Sequence, residues 1–142
     1  MNRTLLTSIA ALAAAASITI AAGCGSSDSA SVPTGADMKG TWVQTATGYD
    51  NGELDSWKGA AAGNIVIDKA SGQSFTGYKT CTPPEGGPVK ETMQGVIAPD
   101  GDILITDQDG FYEGTLENGT FTALYAETGD DATARNVTWT KK

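Results

Sequence analysis

The stretch PDGDILITDQDGFYEGTLENGTFTALYAE, residues 99–127, contains three short runs of alternating apolar and polar residues. Asp109-Gly110 and Asn118-Gly119 separate the runs, and Pro99-Asp100-Gly101 precedes the first one. Asp-Gly and Asn-Gly tolerate the positive φ angles of a type I′ turn, which joins two antiparallel strands into a hairpin. The stretch therefore predicts three consecutive antiparallel strands and an all-β fold.

The same alternation extends in both directions, and no helical period is found from Gly40 onward. The predicted strands are residues 41–47, 63–69, 74–82, 89–98, 102–107, 111–117, 120–127 and 135–141. Successive hairpins describe an up-and-down meander, and closing about eight strands into a small barrel removes the exposed edges. The barrel is the predicted fold, and a two-sheet β-sandwich is the alternative. Residues 48–62 and 83–88 are predicted as long loops at the barrel ends.

Composition excludes several classes of function. The 142 residues have room for one domain, and the chain contains no histidine. Histidine-based triads and zinc sites are therefore excluded, and two cysteines cannot form a four-thiolate zinc site. A chain beginning at Cys24 would carry 17 acidic and 8 basic residues, a formal net charge of −9. That charge argues against a nucleic-acid partner, since phosphate backbones require clustered basic residues.

The first 23 residues have the layout of a secretory signal peptide. Arg3 is followed by an apolar, alanine-rich run that contains no acidic residue and ends in small residues. An uncleaved membrane anchor is the alternative, but several Ser and Thr residues make the run only weakly apolar. Residues 24–38 are rich in Ser and Gly and are predicted as a flexible tether, and residues 39–142 as the barrel domain.

Ala21-Ala22-Gly23-Cys24 resembles the lipobox of bacterial lipoproteins, although the usual Leu is replaced by Ala21. The resemblance implies that Cys24 receives a diacylglyceryl group and becomes the first residue of a lipid-anchored protein on the extracytoplasmic face of the cell membrane. An ordinary secreted protein is the alternative. With Cys24 lipidated, Cys81 is expected to be buried and inert or to form an intermolecular bond; without lipidation, a Cys24–Cys81 disulfide becomes possible.

Lys39-Gly40-Thr41-Trp42 resembles the Gly-x-Trp signature of the calycin barrels, the group that includes lipocalins and avidins. Residues 65–79, IVIDKASGQSFTGYK, resemble the second hairpin of avidins. The resemblance implies an eight-stranded barrel in which Trp42 closes the base and a basic residue of the last strand, Lys141 or Lys142, covers the indole ring. It concerns architecture and does not imply biotin binding.

Aromatic side chains are the candidate binding residues. Trp57 and Tyr49 lie in the acidic segment YDNGELDSW, predicted as a loop that forms a lid over the barrel mouth or a contact patch for a partner. Plugging of the core by Trp57 is an equally good interpretation. Tyr112 and Tyr125 lie on predicted strands and are assigned to the same ligand or lid site.

Acidic residues offer weaker candidates. The aspartates at 100, 102, 107 and 109 suggest calcium chemistry, but their spacing does not match a calcium loop, so we interpret them as turn residues. Glutamates at 91, 113, 117 and 127 are expected mostly on the solvent face, which disfavours a carboxylate-based enzyme. No metal ion, cofactor or catalytic residue is predicted.

Three functional hypotheses follow. The first is a membrane-anchored, non-enzymatic module that binds a small apolar or amphipathic ligand in the mouth of the barrel. The second is a structural or protein-interaction module with a filled barrel. The third, and the least favoured, is a carboxylate-based enzyme.

Overall fold

The computed structural model describes residues 31–57, 63–82 and 87–142. The predicted signal peptide, Cys24 and the first part of the tether lie outside these residues. The elements are α1 (Gly35–Met38), β1 (Gly40–Asp50), β2 (Glu53–Trp57), β3 (Asn64–Ser71), β4 (Ser74–Cys81), β5 (Val89–Ile97), β6 (Ile103–Thr106), β7 (Gly110–Glu117), β8 (Thr120–Glu127) and β9 (Thr133–Lys141).

The strands form one antiparallel sheet that closes into a barrel. The sheet order is β2-β1-β3-β4-β5-β6-β7-β8-β9, and β1 also pairs with β9 along most of its length. Eight strands, β1 and β3 to β9, complete the closed wall, and β2 is an extra strand. The meander and the barrel are confirmed, and all eight predicted strands are present.

The prediction of a long loop over residues 48–62 is wrong for its first part. β1 continues to Asp50, and β2 returns along it after a two-residue turn at Asn51 and Gly52, whose φ angles are 46° and 84°. Positive φ at both positions is the requirement of a type I′ turn. The same strand β1 therefore pairs with β3 through Gly40–Val43 and with β2 through Ala46–Asp50.

Helix α1 closes the end of the barrel where β1 begins, which we call the base. Met38 is fully buried there, and its carbonyl oxygen accepts a hydrogen bond of 2.8 Å from Trp42 Nε1. The predicted tether spans residues 24–38, but residues 35–38 form α1 and pack on the core. The opposite end, where β1, β4, β6 and β8 finish, is the mouth.

Side chains pack together in the lower part of the barrel interior. Alternate residues of the wall strands point inward, and the largest fully buried ones are aromatic. They include Trp42, Trp139, Tyr112, Tyr125 and Phe121. The ring of Trp139 lies 4.8 Å from that of Phe121 and 5.1 Å from that of Tyr112. Small eight-stranded barrels have room for packed side chains or one small ligand, and here side chains occupy the lower interior.

Candidate functional site

A buried charged cluster lies inside the mouth, around Lys79. Lys79 and Glu91 are directly opposite each other on β4 and β5, and Lys79 Nζ lies 2.8 Å from Glu91 Oε2. The same ammonium group donates a 2.9 Å hydrogen bond to Asp107 Oδ2, and the Asp107 side chain is fully buried. Burial lowers the pKa of Lys79, but hydrogen bonds and charges of the two carboxylates outweigh it and raise the pKa well above its usual value.

The β6–β7 turn holds Asp107 in place. Its Oδ1 accepts hydrogen bonds from the backbone N–H groups of Asp109, at 3.1 Å, and Gly110, at 2.8 Å. One carboxylate oxygen therefore shapes the turn while the other faces Lys79. An aspartate that hydrogen-bonds to the backbone two residues later is a common turn device. Asp100 likewise accepts from the Asp102 N–H, at the base end of β6, so the two aspartate pairs lie at opposite ends of this strand.

A second charged group closes the mouth on the side of β1, β2 and β9. Arg135 is buried and inward-facing on β9, and its Nη2 contacts Asp50 and, at 3.3 Å, Asp55 Oδ2. The hydroxyl group of Thr133 donates a 3.1 Å hydrogen bond to Asp50 Oδ1. The arginine therefore links the two strands of the β1–β2 hairpin to the barrel wall.

Aromatic rings form the floor below these charges. Tyr112 and Tyr125 face each other across β7 and β8, with ring centroids 4.6 Å apart. Lys79 Nζ lies 5.8 Å from the Tyr125 ring. Trp139 Nε1 donates a 2.7 Å hydrogen bond to Gln44 Oε1. Burial, reinforced by the negative charge of Asp107, raises the pKa of Tyr112 well above its usual range, so this phenol stays neutral.

Two buried polar atoms of this floor, the Tyr112 hydroxyl oxygen and Gln44 Nε2, have no well-formed hydrogen bond within the described part of the chain. They are close to each other, because the Gln44 side chain acts on the Tyr112 hydroxyl and partly offsets the rise in its pKa. Both residues are fully buried, so this contact is the weakest polar pairing of the floor.

The structure does not bring the four candidate binding residues together. Tyr112 and Tyr125 lie inside the barrel, whereas Tyr49 is on the outer wall and 59% exposed. Trp57 ends β2 opposite Ala46, and its side chain is outside the described set. Tyr49 and Trp57 belong to strands, so they are not parts of a loop that covers the mouth.

At the base, Lys141 lies over Trp42. Its Nζ is 5.0 Å from the centre of the Trp42 ring and donates a 2.8 Å hydrogen bond to the carbonyl oxygen of Asp37. The pairing of β1 with β9 places the two residues directly opposite each other. Lys141 thereby joins the last strand to helix α1.

Sequence reasoning missed the charged cluster in the mouth. The expectation that the glutamates lie mostly on the solvent face is wrong for Glu91, which points inward. A signal was present, because Lys79 alternates in phase with Phe75 and Gly77, and Arg135 alternates in phase with Val137 and Trp139. Strand periodicity could have assigned both cations to the interior, but no such prediction was made from the sequence.

Cys81 lies near this cluster and is half-buried. Its Sγ is 3.8 Å from Glu91 Oε1, and burial together with the Glu91 charge raises the pKa of the thiol. Cys81 is a free cysteine in the structure. Within residues 31–57, 63–82 and 87–142, no group of three or more acidic, histidine or cysteine side chains is arranged to hold a metal ion.

Two depressions lie on the outside of the molecule. A groove of about 630 Å³ runs across β3 to β6 on the outer wall and includes Val96 and Leu104 in its lining. A smaller notch of about 280 Å³ lies at the tip of the β1–β2 hairpin, between Asp50, Asn51, Glu53 and Asp55. The groove reaches the β3–β4 turn and so lies toward the base, whereas the notch lies at the mouth beside the exposed Tyr49 and Leu54. Exposed apolar side chains adjoin both depressions, which makes the outer surface of the wall a candidate binding region.

Comparison with protein-family models and with curated proteins finds no match to this chain. Among the residues the structure describes, none of the helical segments has the length and apolar character needed to cross a bilayer. The case for a function therefore depends on the geometry of the barrel and on the N-terminal sequence.

Proposed function

We propose that the protein is a lipid-anchored extracytoplasmic module that binds a partner through the outside of a filled barrel. The observation that carries the proposal is the contrast between the two surfaces of the wall. Inside, the buried aromatic residues are at most 5% exposed and ion pairs occupy the mouth. Outside, Tyr49, Leu54 and Leu124 are each more than half exposed. Exposed apolar groups on an otherwise polar wall are typical of interaction surfaces.

The proposed anchor is Cys24, which follows the apolar N-terminal run. Its chain would reach the barrel at the base, because Gly35 begins α1 and its N–H donates to the Gly72 carbonyl oxygen in the β3–β4 turn. β1 then runs 11 residues from the base to the mouth, roughly 35 Å at about 3.3 Å per residue. The mouth and the β1–β2 hairpin would thus face away from the membrane.

Charge is distributed unevenly between the two ends. The mouth end carries acidic residues on strand ends and turns, namely Asp50, Glu53, Asp55, Glu91, Asp107, Asp109, Glu127, Asp130 and Asp131. Its described cations are Lys79, Lys90 and Arg135. The base end has Lys39, Lys69, Lys141 and Lys142, whose charges are offset by those of Asp37, Asp68, Asp100, Asp102 and Glu117. The mouth is therefore the more acidic end, which supports an orientation with the mouth away from an anionic bilayer surface and toward cationic partners.

The anchor is tested by replacing Cys24. The Cys24→Ala variant should leave the membrane fraction, while the matched Cys81→Ala variant should stay in it, since only Cys24 follows the apolar run. Intact mass spectrometry of the extracted wild-type protein should show loss of residues 1–23 and a gain equal to a diacylglyceryl group. Continued membrane association of Cys24→Ala without the added mass would refute the anchor.

A small ligand inside the mouth is the second candidate function. The observation that favours it is a pair of buried polar atoms, the Tyr112 hydroxyl and Gln44 Nε2, that have only a poorly formed contact with each other. To reach them from the mouth, a ligand has to pass Lys79 and its two carboxylates, so it would be small, polar at one end and apolar at the other. Native mass spectrometry of the extracted protein distinguishes the two candidates. Bound small-molecule mass that disappears on unfolding supports the ligand, and its absence supports the filled barrel.

A further inference from the structure

The β1–β2 hairpin carries the open edge of the sheet. β2 stands at the end of the strand order, and within the described residues β1 is its only strand partner. Asp50 and Glu53 flank the two-residue turn, and Tyr49 pairs with Leu54 next to them. An unpaired strand edge presents free N–H and C=O groups to any extended segment that approaches it.

Register identifies the groups on that edge. Residues that flank a two-residue turn exchange both backbone hydrogen bonds, and the next pair exchanges none. The N–H groups of Leu54 and Ser56 therefore point away from β1. The Ser56 N–H donates a 2.6 Å hydrogen bond to Asp55 Oδ1, a side chain of its own strand, as expected for an edge donor with no partner strand.

The two faces of the hairpin differ in chemistry. On the outer face, Tyr49 is 59% and Leu54 is 70% exposed, and the two residues are directly opposite each other. On the inner face, Asp50 and Asp55 turn toward Arg135, and with Glu53 they line the 280 Å³ notch. Successive residues of a strand point to opposite faces, so a strand added to β2 would place alternate side chains against these two surfaces.

We infer that the edge of β2 binds an extended segment of a partner protein in which apolar and basic residues alternate. Its backbone pairs with Leu54 and Ser56, its apolar side chains cover Tyr49 and Leu54, and its lysine or arginine side chains reach the carboxylates of the notch. Strand addition of this kind draws affinity from main-chain hydrogen bonds and specificity from alternate side chains. The inference rests on the proposed surface-binding function and names its partner class.

The negative charge of the β1–β2 hairpin favours a basic segment over a second copy of β2 or a membrane surface. A second copy of β2 would place Glu53 and Asp55 against the same carboxylates, and like charges on neighbouring strands are destabilising. An anionic membrane surface is repelled for the same reason. A basic segment is attracted both by the carboxylates of the notch and by the formal net charge of −8 of the whole chain.

The test uses a short capped peptide of alternating leucine and lysine as the probe, and calorimetry measures its binding to the protein extracted from the membrane. We expect saturable binding that weakens with added salt. A peptide of the same composition with its leucines and lysines in two blocks, one of alternating leucine and glutamate, and an N-methylated copy of the probe should bind at least about tenfold more weakly. Equal binding of the probe and the blocked isomer would overturn the inference.

Variants locate the binding to β2. Leu54→Ser should weaken binding of the probe about tenfold. Leu124 on β8 is 62% exposed, and the matched Leu124→Ser variant should bind the probe as the wild type does. Ser56→Pro removes an edge donor without removing a bond to β1 and should also weaken binding. If Leu54→Ser and Leu124→Ser weaken binding of the probe equally, the edge of β2 is not the binding site. Membrane release of Cys24→Ala does not involve β2, so failure of the anchor and failure of this inference are separate results.

Discussion

Lys79 and Asp107 are joined by a 2.9 Å hydrogen bond between groups almost entirely removed from solvent, 28 residues apart in the sequence. Glu91 completes the cluster from β5, so one ammonium group pairs with two carboxylates that come from two different parts of the sheet. Breaking a buried ion pair leaves an uncompensated charge, which costs more than the pair itself contributes. Loss of one member of this cluster is therefore expected to destabilise the fold more than loss of any other polar group in the mouth.

Replacing Lys79 by Met should lower the free energy of unfolding by about 3–5 kcal/mol, because Asp107 and Glu91 remain buried without a cation. Denaturant unfolding monitored by tryptophan fluorescence measures the change. The control is Lys90→Met, an exposed lysine whose Nζ lies 3.7 Å from the centre of the Tyr78 ring; its cost should be about 1 kcal/mol or less. Similar losses in the two variants would contradict the importance of the cluster.

Glu127 should make the protein less stable as the pH rises. Burial, followed by the charge of Asp109, raises the pKa of Glu127 above its ordinary value of 4.5. The folded protein then holds this proton more tightly than the unfolded chain, so stability falls as the pH increases from 4.5 through the raised pKa. Glu127→Gln should therefore be more stable than the wild type near neutral pH, with the difference vanishing in acid. A difference that does not change with pH would refute this.

Asp37 should affect the pH dependence of stability in the opposite direction to Glu127. Hydrogen bonds from Thr34 N–H and Thr34 Oγ1 lower the pKa of Asp37 below its ordinary value of 3.8. Its contribution to stability is present above pH 3.8 and is lost as the pH falls through the lowered pKa. Asp37→Asn should be less stable than the wild type near neutral pH and equal to it in strong acid. Unfolding curves at both pH values, measured beside those of Glu127→Gln, check the two signs together.

Trp42→Phe should loosen helix α1 from the base of the barrel. The substitution removes the donor to the Met38 carbonyl oxygen and leaves a buried acceptor unpaired, which costs about 1–3 kcal/mol. Amide hydrogen exchange in residues 35–38 should accelerate more than in the strands. Phe111→Leu, on the outer wall, is the control, and its effect should stay within about 0.5 kcal/mol. Unchanged exchange in α1 would contradict the anchoring role of the indole N–H.

Gly77→Ala should destabilise the fold by about 1–3 kcal/mol or more, because a Cβ at this position would lie 2.0 Å from the Val66 carbonyl oxygen on β3. Backbone crowding of this kind cannot be relieved by rotating a side chain. Gly87→Ala is the matched control, since a Cβ there has no described atom within 4 Å. Thermal unfolding compares the two variants, and equal midpoints would show that β3 and β4 can move apart without cost.

Tyr112→Phe should change the free energy of unfolding by less than about 1 kcal/mol, because the buried hydroxyl that it removes has only a poorly formed contact with Gln44 Nε2. Tyr125→Phe is the comparison, since the Tyr125 hydroxyl donates a 3.4 Å hydrogen bond to Glu127 Oε2. Its stability should not increase. A loss of more than about 1 kcal/mol in Tyr112→Phe would show that the hydroxyl is well hydrogen-bonded in solution, either to Gln44 or to a small bound group. The second candidate is then supported only if the loss disappears once bound small molecules have been removed.

Most strands of the wall could be predicted from local chemistry, whereas β2 could not. Asn51-Gly52 is the same hairpin signal as Asn118-Gly119, but the acidic residues on both sides of Asn51-Gly52 are typical of a loop. β2 tolerates those acids because it is an edge strand with one face at the notch. Acidic residues are uncommon in central strands, and at an edge they discourage self-association.

Alternation of side chains and turn dipeptides determined the all-β class, the meander and the eight strands of the wall, because both act between residues close in sequence. The sequence also places Lys79 and Arg135 on inward positions, but it does not determine their partners. Tertiary structure alone decided that Lys79 meets Asp107, that Arg135 meets Asp50 and that the large aromatic side chains pack together inside the barrel. These contacts depend on barrel closure and on the register of every strand, and register is a property of the whole sheet.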